Sequence, residues 1–448
     1  MDSYTSKIAL CECLWSEAVV ITLFLTTPLK AFFWWYLMDK RIIYKNLVRS
    51  GGGIVYAQDL IQRIEIAAKV IKHFRGQWER IFWLAPSMYM RIRDYIPTVK
   101  KALKSDAEFV TFCSYEHISL DGMEYLECYD LASQTQGFCV FDESLNIKNL
   151  NSAKTKRVLA MHRKFKYRLL MSKSPMSCGL LDIYTQMQLI DPTVMTITEA
   201  QFRQLYMPND IHNHNVTKCY NLPGAEKTIA RLLRPYILYR DWGEKIKIAY
   251  HNCQFQLEAD EQKEYKKDKE RILRGLKTMA YLQVVQRFQY YYTICRQKVK
   301  KLQELLEEIL QRGEKVVIYT KFLGEIKFLR ESGLLRNRKF AVICGVTNKL
   351  RAARLFESDH NILICTYKVE IPRLSLQDCT NVIYFSQTFD YKDKYYPLSR
   401  FYGSENCSLN VYDFWVDTEL ENLIKHSLEL KKQILENVCE TLEYDKAF

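Results

Sequence analysis

From about residue 51 onward, short apolar runs alternate with longer stretches whose apolar residues recur at helical spacing, the pattern of a parallel sheet covered by helices. A first series of strands is predicted at Ile54 to Ala57, Arg80 to Leu84, Phe109 to Phe112, Phe138 to Phe141 and Tyr167 to Met171, with helices over Asp59 to Phe74 and Met88 to Leu103. A second series follows at Lys315 to Tyr319, Phe340 to Ile343, Ile362 to Cys365, Asn381 to Phe385 and Ser408 to Val416. Two such series predict two α/β lobes, residues 51–195 and 315–448. Between them, residues 196–314 carry a charged run, Glu258 to Arg274, and a long amphipathic stretch, Met279 to Arg312, in which Leu302, Leu305, Leu306 and Ile309 fall at helical spacing. The heptad pattern is not sustained, so this region is expected to be a helical connector rather than a coiled coil.

Residues 1–50 form a separate, apolar-rich segment. Glu17, Pro28 and Lys30 keep the runs at Ala18 to Leu29 and Ala31 to Met38 shorter than the roughly 18 to 20 apolar residues of a spanning helix. Buried helices are therefore expected there, not a membrane anchor. No basic leader or small-residue cleavage site marks a signal peptide.

Composition adds a partner class. The 448 residues are 48% hydrophobic and 26% charged, a globular balance, and the formal charge of +13 suits a polyanion. Fourteen cysteines are spread from Cys11 to Cys439 with no CxxC pair, which argues against zinc and a disulfide scaffold and for a reducing, cytoplasmic setting. His212 and His214 have no ligand-spaced partners and are read as loop residues; no metal site is expected.

The chemistry-bearing stretch is Val140 to Asn149, where an apolar run ends in Asp142-Glu143 and continues Ser144-Leu145-Asn146-Ile147-Lys148-Asn149. A buried strand that delivers paired carboxylates to its carboxyl end is how P-loop-type ATPases hold magnesium and orient the attacking water.

With two lobes and this strand in order, the chain resembles the Swi/Snf family of superfamily two helicase-like ATPases, in the compact form carried by phages and other DNA viruses. The similarity runs from about residue 28 to 435 and implies an α/β fold of two RecA-like parallel-sheet lobes. Asp142-Glu143-Ser144-Leu145 stands at the family's Asp-Glu-Ala-His, with leucine at the histidine. Gly51-Gly52-Gly53-Ile54 resembles the approach to the phosphate loop, and Ile64-Glu65 its continuation. The loop itself, Gly-Leu-Gly-Lys-Thr in the family, is Asp59-Leu60-Ile61-Gln62-Arg63. Glycines there let amides approach phosphate, lysine neutralises it and threonine ligates magnesium. Arg63 offers a phosphate a bidentate fork but cannot be a metal ligand; the alternative is that this segment is only a helix start.

Other nucleotide-facing positions depart in the same direction. Phe32-Phe33 replace an aromatic-Gln step, Ser172-Lys173-Ser174-Pro175 a Thr-Gly-Thr-Pro turn, and Arg373-Leu374-Ser375-Leu376-Gln377 a Gly-Leu-Asn-Leu-Gln segment. In the family's closing Gln-x-x-x-Arg-x-x-Arg pattern, Tyr396 stands at the glutamine, Arg400 at the first arginine, and Gly403 at the position that resembles an arginine finger. Structural segments are better kept, among them Leu84-Ala85-Pro86-Ser87, the turn that touches the DNA backbone in the family, and Cys344-Gly345-Val346-Thr347.

The favoured expectation is thus a helicase-fold protein of a phage, virus or mobile element that binds duplex DNA, or a viral or host protein, without ATP turnover and without a cofactor. Asp142, Glu143 and Arg400 then persist as catalytic remnants. An active ATP- and magnesium-dependent DNA translocase is the alternative, and a structural or assembly protein on the same scaffold a third. DNA-contact candidates are Ser87, Lys154, Lys156, Arg157, Arg163, Lys164 and Lys166, with Lys100, Lys101 and Lys104 nearby and a second group at Arg296, Lys298, Lys300 and Lys301 in the connector.

Overall fold

The computed structural model describes residues 47–177, 179–191, 193–207, 222–241, 247–274, 281–367, 369, 376, 378–401 and 408–444. All ten predicted strands are present, and two more join them. The first sheet contains β1 (Gly52–Ala57), β2 (Arg80–Ala85), β3 (Val110–Ser114), β4 (Gly137–Phe141), β5 (Phe165–Ser172) and β6 (Ile237–Asp241), in the order β3-β2-β4-β5-β1-β6. The second contains β7 (Ile248–Phe255), β8 (Lys315–Thr320), β9 (Phe340–Ile343), β10 (Ile362–Thr366), β11 (Cys379–Tyr384) and β12 (Leu409–Val416), in the order β7-β12-β11-β8-β10-β9. Every pairing in both sheets is parallel. The molecule therefore has the two RecA-like α/β lobes that the sequence predicts.

Central strands are apolar along their whole length because helices cover both faces; β1, β4 and β10 are buried at every residue. Glycine at 51 and 52 is required by packing at the amino end of β1. Gly51 has φ +70, and a Cβ there would lie 2.4 Å from the Lys166 carbonyl; one on Gly52 would lie 2.3 Å from Ile190 Cγ2. These glycines thus pack the strand end farthest from the carboxylates. The helices used below are α1 (Leu60–His73), α2 (Ala225–Leu233), α3 (Ala259–Arg274), α4 (Tyr281–Tyr292), α5 (Arg296–Gln311) and α6 (Glu419–Tyr444).

Three departures from the sequence expectation have physical causes. Residues 196–314 are not only a helical connector: they supply β6 and β7, an edge strand for each sheet. The stretch Met279 to Arg312 is not one helix, because Thr293 and Lys298 divert the chain between α4 and α5. Thr293 Oγ1 donates to Glu325 Oε1 at 2.6 Å, and buried Lys298 Nζ donates to the Thr293 carbonyl at 2.8 Å. Met88 to Leu103 likewise divides into helices Ser87–Met90 and Tyr95–Leu103.

The last helix, α6, belongs to both lobes. Ile424 and Leu428 pack with Trp415 of β12, while Ile434, Val438 and Leu442 enter the core of the first lobe with Ile229 and Leu233 of α2. The apolar runs within residues 18–38, His212 and His214, and the positions 373–375, 377 and 403 lie outside the described residues. Among the described residues no helix is long and apolar enough to cross a membrane.

Candidate functional site

β4 carries Asp142 and Glu143 to the carboxyl end of the first sheet, where both are fully buried. Glu143 takes a left-handed backbone conformation, φ 51 and ψ 51, which is unusual for a side chain with a Cβ and turns the chain sharply into Ser144. Its carboxylate meets Arg63 from α1: Nη2 stands 2.6 Å from Glu143 Oε1, Nε 3.8 Å from Asp142 Oδ1, and Nη1 donates to the Ala57 carbonyl at 2.8 Å. Arg63 has no solvent exposure.

Three tyrosines complete the enclosure. Tyr89 donates to Glu143 Oε1 at 3.0 Å, Tyr95 to Asp142 Oδ2 at 2.5 Å, and Tyr115 to the Asp142 carbonyl at 2.9 Å; Trp83 Nε1 in turn donates to the Tyr95 hydroxyl. Burial pushes Asp142 up to about 6 despite Arg63 and the Tyr95 hydrogen bond. Burial also opposes charge on Glu143, but Arg63, supported by Lys173 and Lys392, outweighs it and holds that carboxyl at about 2. For Arg63, burial opposes the charge, but Glu143 and then Asp142 raise its pKa above the ordinary value. Glu143 and Arg63 are therefore the charged pair. Asp142 is the titratable member.

The segment Asp59 to Arg63 is a capped helix start. Asp59 is the N-cap of α1, and its carboxylate accepts from the Ile61 and Gln62 amides at 3.3 and 3.1 Å. Leu60 and Ile61 begin the helix, and Gln62 Nε2 donates to Tyr239 in β6 at 2.8 Å. A helix N-terminus facing a nucleotide site is normally an anion cradle; here the chain supplies the anion itself. The same occurs at Ser87, whose amide donates to Glu116 Oε2 at 2.6 Å. Arg63 is accordingly a core ion pair and not a phosphate fork.

Facing this end of β4 is a cleft of about 450 Å³ between the lobes. Lys148, Lys154 and Lys173 line it from the first lobe, Lys392 and Arg400 from the second, with Glu116, Asp390 and Asp393 among them. Tyr396 crosses it directly, donating to the Met176 carbonyl at 2.8 Å. Arg400 lies against Tyr319 and Cys365 rather than against the carboxylates, and its carbonyl accepts from the Leu376 amide.

The basic candidates separate into two kinds. Lys154 lines the cleft, and Lys156 and Arg163 are exposed. Arg157 instead donates to the carbonyls of Ile118 and Asp121 and lies over Tyr125; Lys164 lies over Tyr129, and Lys166 donates to Gln136. Arg168, at the end of the same run, is held by the Ser50 and Gly51 carbonyls. In the connector, Lys298 is buried, and exposed Arg296 is paired with Glu258 and Asp260.

These residues do not fit magnesium and nucleotide phosphate. The cation position between the carboxylates holds a guanidinium, the helix N-terminus holds Asp59, and Glu143 Oε2 is buried without a hydrogen-bond partner. Among the described residues, no group of three or more His, Cys, Asp or Glu side chains is placed to hold a metal. Sequence reasoning missed Tyr89, Tyr95, Tyr115, Glu116 and Lys392. They lie on helices and turns between the strands, and only the three-dimensional crossing brings them to β4.

No known family profile matches the chain, and no curated protein matches it in sequence. Among solved structures, it is similar to the Sulfolobus solfataricus SWI2/SNF2 ATPase core in complex with double-stranded DNA, with 14% identity, a TM-score of 0.38, and 94% of each chain covered.

Proposed function

We propose that this protein is a Swi/Snf-like, helicase-fold module of a phage, virus or mobile element that binds duplex DNA in its inter-lobe cleft and does not hydrolyse ATP. The observation that supports the reading is the buried 2.6 Å ion pair from Arg63 to Glu143, an internal cation on carboxylates that in a motor would serve magnesium and water. Phosphoryl transfer depends on positioned charges, and here those charges neutralise one another. Support for DNA binding is electrostatic: a +13 chain with Lys148, Lys154, Lys173, Lys392 and Arg400 lining one cleft.

The test is ATP binding and hydrolysis by the purified protein, with and without duplex DNA, beside a variant carrying Asp142→Ala and Glu143→Ala. The expected result is no turnover and DNA affinity that falls steeply with salt. DNA-stimulated turnover that disappears in the variant would make the protein an active translocase. A scaffold role without DNA is favoured by one observation, the use of Arg157 and Arg168 to hold backbone carbonyls of the first lobe. It takes over if the protein shows no salt-dependent DNA affinity.

A further inference from the structure

Among the described residues, the second sheet ends in an edge strand without charge, proline or bulge. β7 runs eight residues, Ile248–Phe255, in unbroken register with β12 from Leu409↔Ile248 to Val416↔Phe255. Among the described residues no strand lies beyond it. Exposed edges in monomers are normally short, bulged, or marked by charge or proline, because a regular edge is a template for another strand. The β7 sequence Ile-Ala-Tyr-His-Asn-Cys-Gln-Phe has no Lys, Arg, Asp, Glu or Pro, and Ala249, Tyr250, His251, Asn252 and Gln254 are exposed.

The direction of its backbone groups follows from two hydrogen bonds. The Leu409 amide donates to the Lys247 carbonyl at 3.0 Å and the Asp417 amide to the Phe255 carbonyl at 2.8 Å, so odd-numbered residues face β12. By strand alternation Ile248, Tyr250, Asn252 and Gln254 direct their N–H and C=O groups away from the sheet. These four positions are symmetric about His251.

We infer that β7 is the seam of a two-fold dimer, in which a second copy of this chain adds its own β7 antiparallel and joins two six-stranded sheets into one. Centred on His251, the pairing sets Tyr250 opposite the partner's Asn252 and Ile248 opposite the partner's Gln254, each pair exchanging two backbone hydrogen bonds. Nothing charged faces its own kind along the seam, which matters for a chain of +13. The strand ends are complementary as well. Exposed Lys247 at one end meets the other end of the partner strand, which leads into Glu258, Asp260 and Glu261, three carboxylates that share the single guanidinium of Arg296.

Sedimentation of the full chain tests this at micromolar concentration. The wild type is expected near twice its 53.2 kDa monomer mass. Asn252→Pro removes only an outward N–H, so it spares the β7–β12 ladder and should give a monomer with unchanged circular dichroism. Tyr250→Lys combined with Asn252→Lys places like charges opposite each other across the seam and should weaken the dimer at least about tenfold. If the proline variant does not fold, the double-lysine variant decides, since both of its positions are exposed. A monomeric wild type, whether the edge is covered by this chain's own residues or by a different protein, overturns the inference. So does a dimer that the double-lysine variant leaves intact.

Discussion

A buried ion pair is worth little against a well-packed apolar pair, yet removing one partner alone is costly because it strands a charge in the core. Arg63→Ala should therefore destabilise the first lobe by about 3–5 kcal/mol, and adding Glu143→Gln should recover part of that loss. Thermal or denaturant unfolding of the two variants measures it; a cost under about 1 kcal/mol would mean that the tyrosines, not Arg63, hold the carboxylates. The pH dependence has a definite sign. Asp142 is raised from 3.8 to about 6, so its contribution is fully present below about pH 4 and is lost as pH rises through about 6. Glu143, lowered from 4.5 to about 2, contributes above about pH 4.5 and loses that only as pH falls through about 2. Relative to Asp142→Asn, the wild type should thus lose about 1.3 kcal/mol between about pH 5 and pH 7, read as a difference in unfolding profiles. At this scale the sequence singled out Arg63, Asp142 and Glu143 but not their partners. Gln62 and Arg63 could be read as losses of lysine and threonine; that Arg63 reaches across to Glu143 depends on the path of α1 along β1 and β5.

Elements were more legible than side-chain partners. Each of the ten predicted strands has a counterpart because a short apolar run has a strong signature, whether buried on both faces as in β1, β4 and β10 or only partly buried at an edge as in β3 and β9. β6 and β7 were missed because one is five residues long and the other polar and largely exposed, within a region dominated by charged helices. The helix start at Asp59 followed the ordinary capping rule, and its removal tests that role. Asp59→Ala should cost about 1 kcal/mol through loss of the bonds to the Ile61 and Gln62 amides, without creating ATP binding, since Arg63 would remain on Glu143. α6 packs on both lobes. At about 1.5 Å per residue its 26 residues reach about 39 Å, enough to carry Leu442 into the first core. Leu442→Ala should destabilise the first lobe by about 2–5 kcal/mol, and hydrogen exchange should show the loss around α2 rather than around β12.

Across the whole molecule, charge is distributed more informatively than its total. From Ser105 to Ile147 there is no lysine or arginine but nine acidic residues, and in this stretch the helix Gly122–Gln134 exposes Glu124, Glu127 and Asp130. That face repels a nucleic-acid backbone, whereas the inter-lobe cleft gathers cations from both lobes and is bridged by Tyr396 and by α6. A duplex held there should touch both lobes at once. Replacing Lys154, Lys392 and Arg400 together with alanine should then reduce the slope of log affinity against log salt by about 3, roughly one for each phosphate that is no longer neutralised, with all DNA sequences weakened alike. All three side chains are only partly buried, and Lys392 supports Glu143 only behind Arg63, so the unfolding temperature should fall little. Replacing exposed Lys156 and Arg163 instead should change the slope less, because they lie outside the cleft. Equal effects from the two sets would place the duplex on the outer surface of the first lobe, and the cleft would then have to serve something other than DNA.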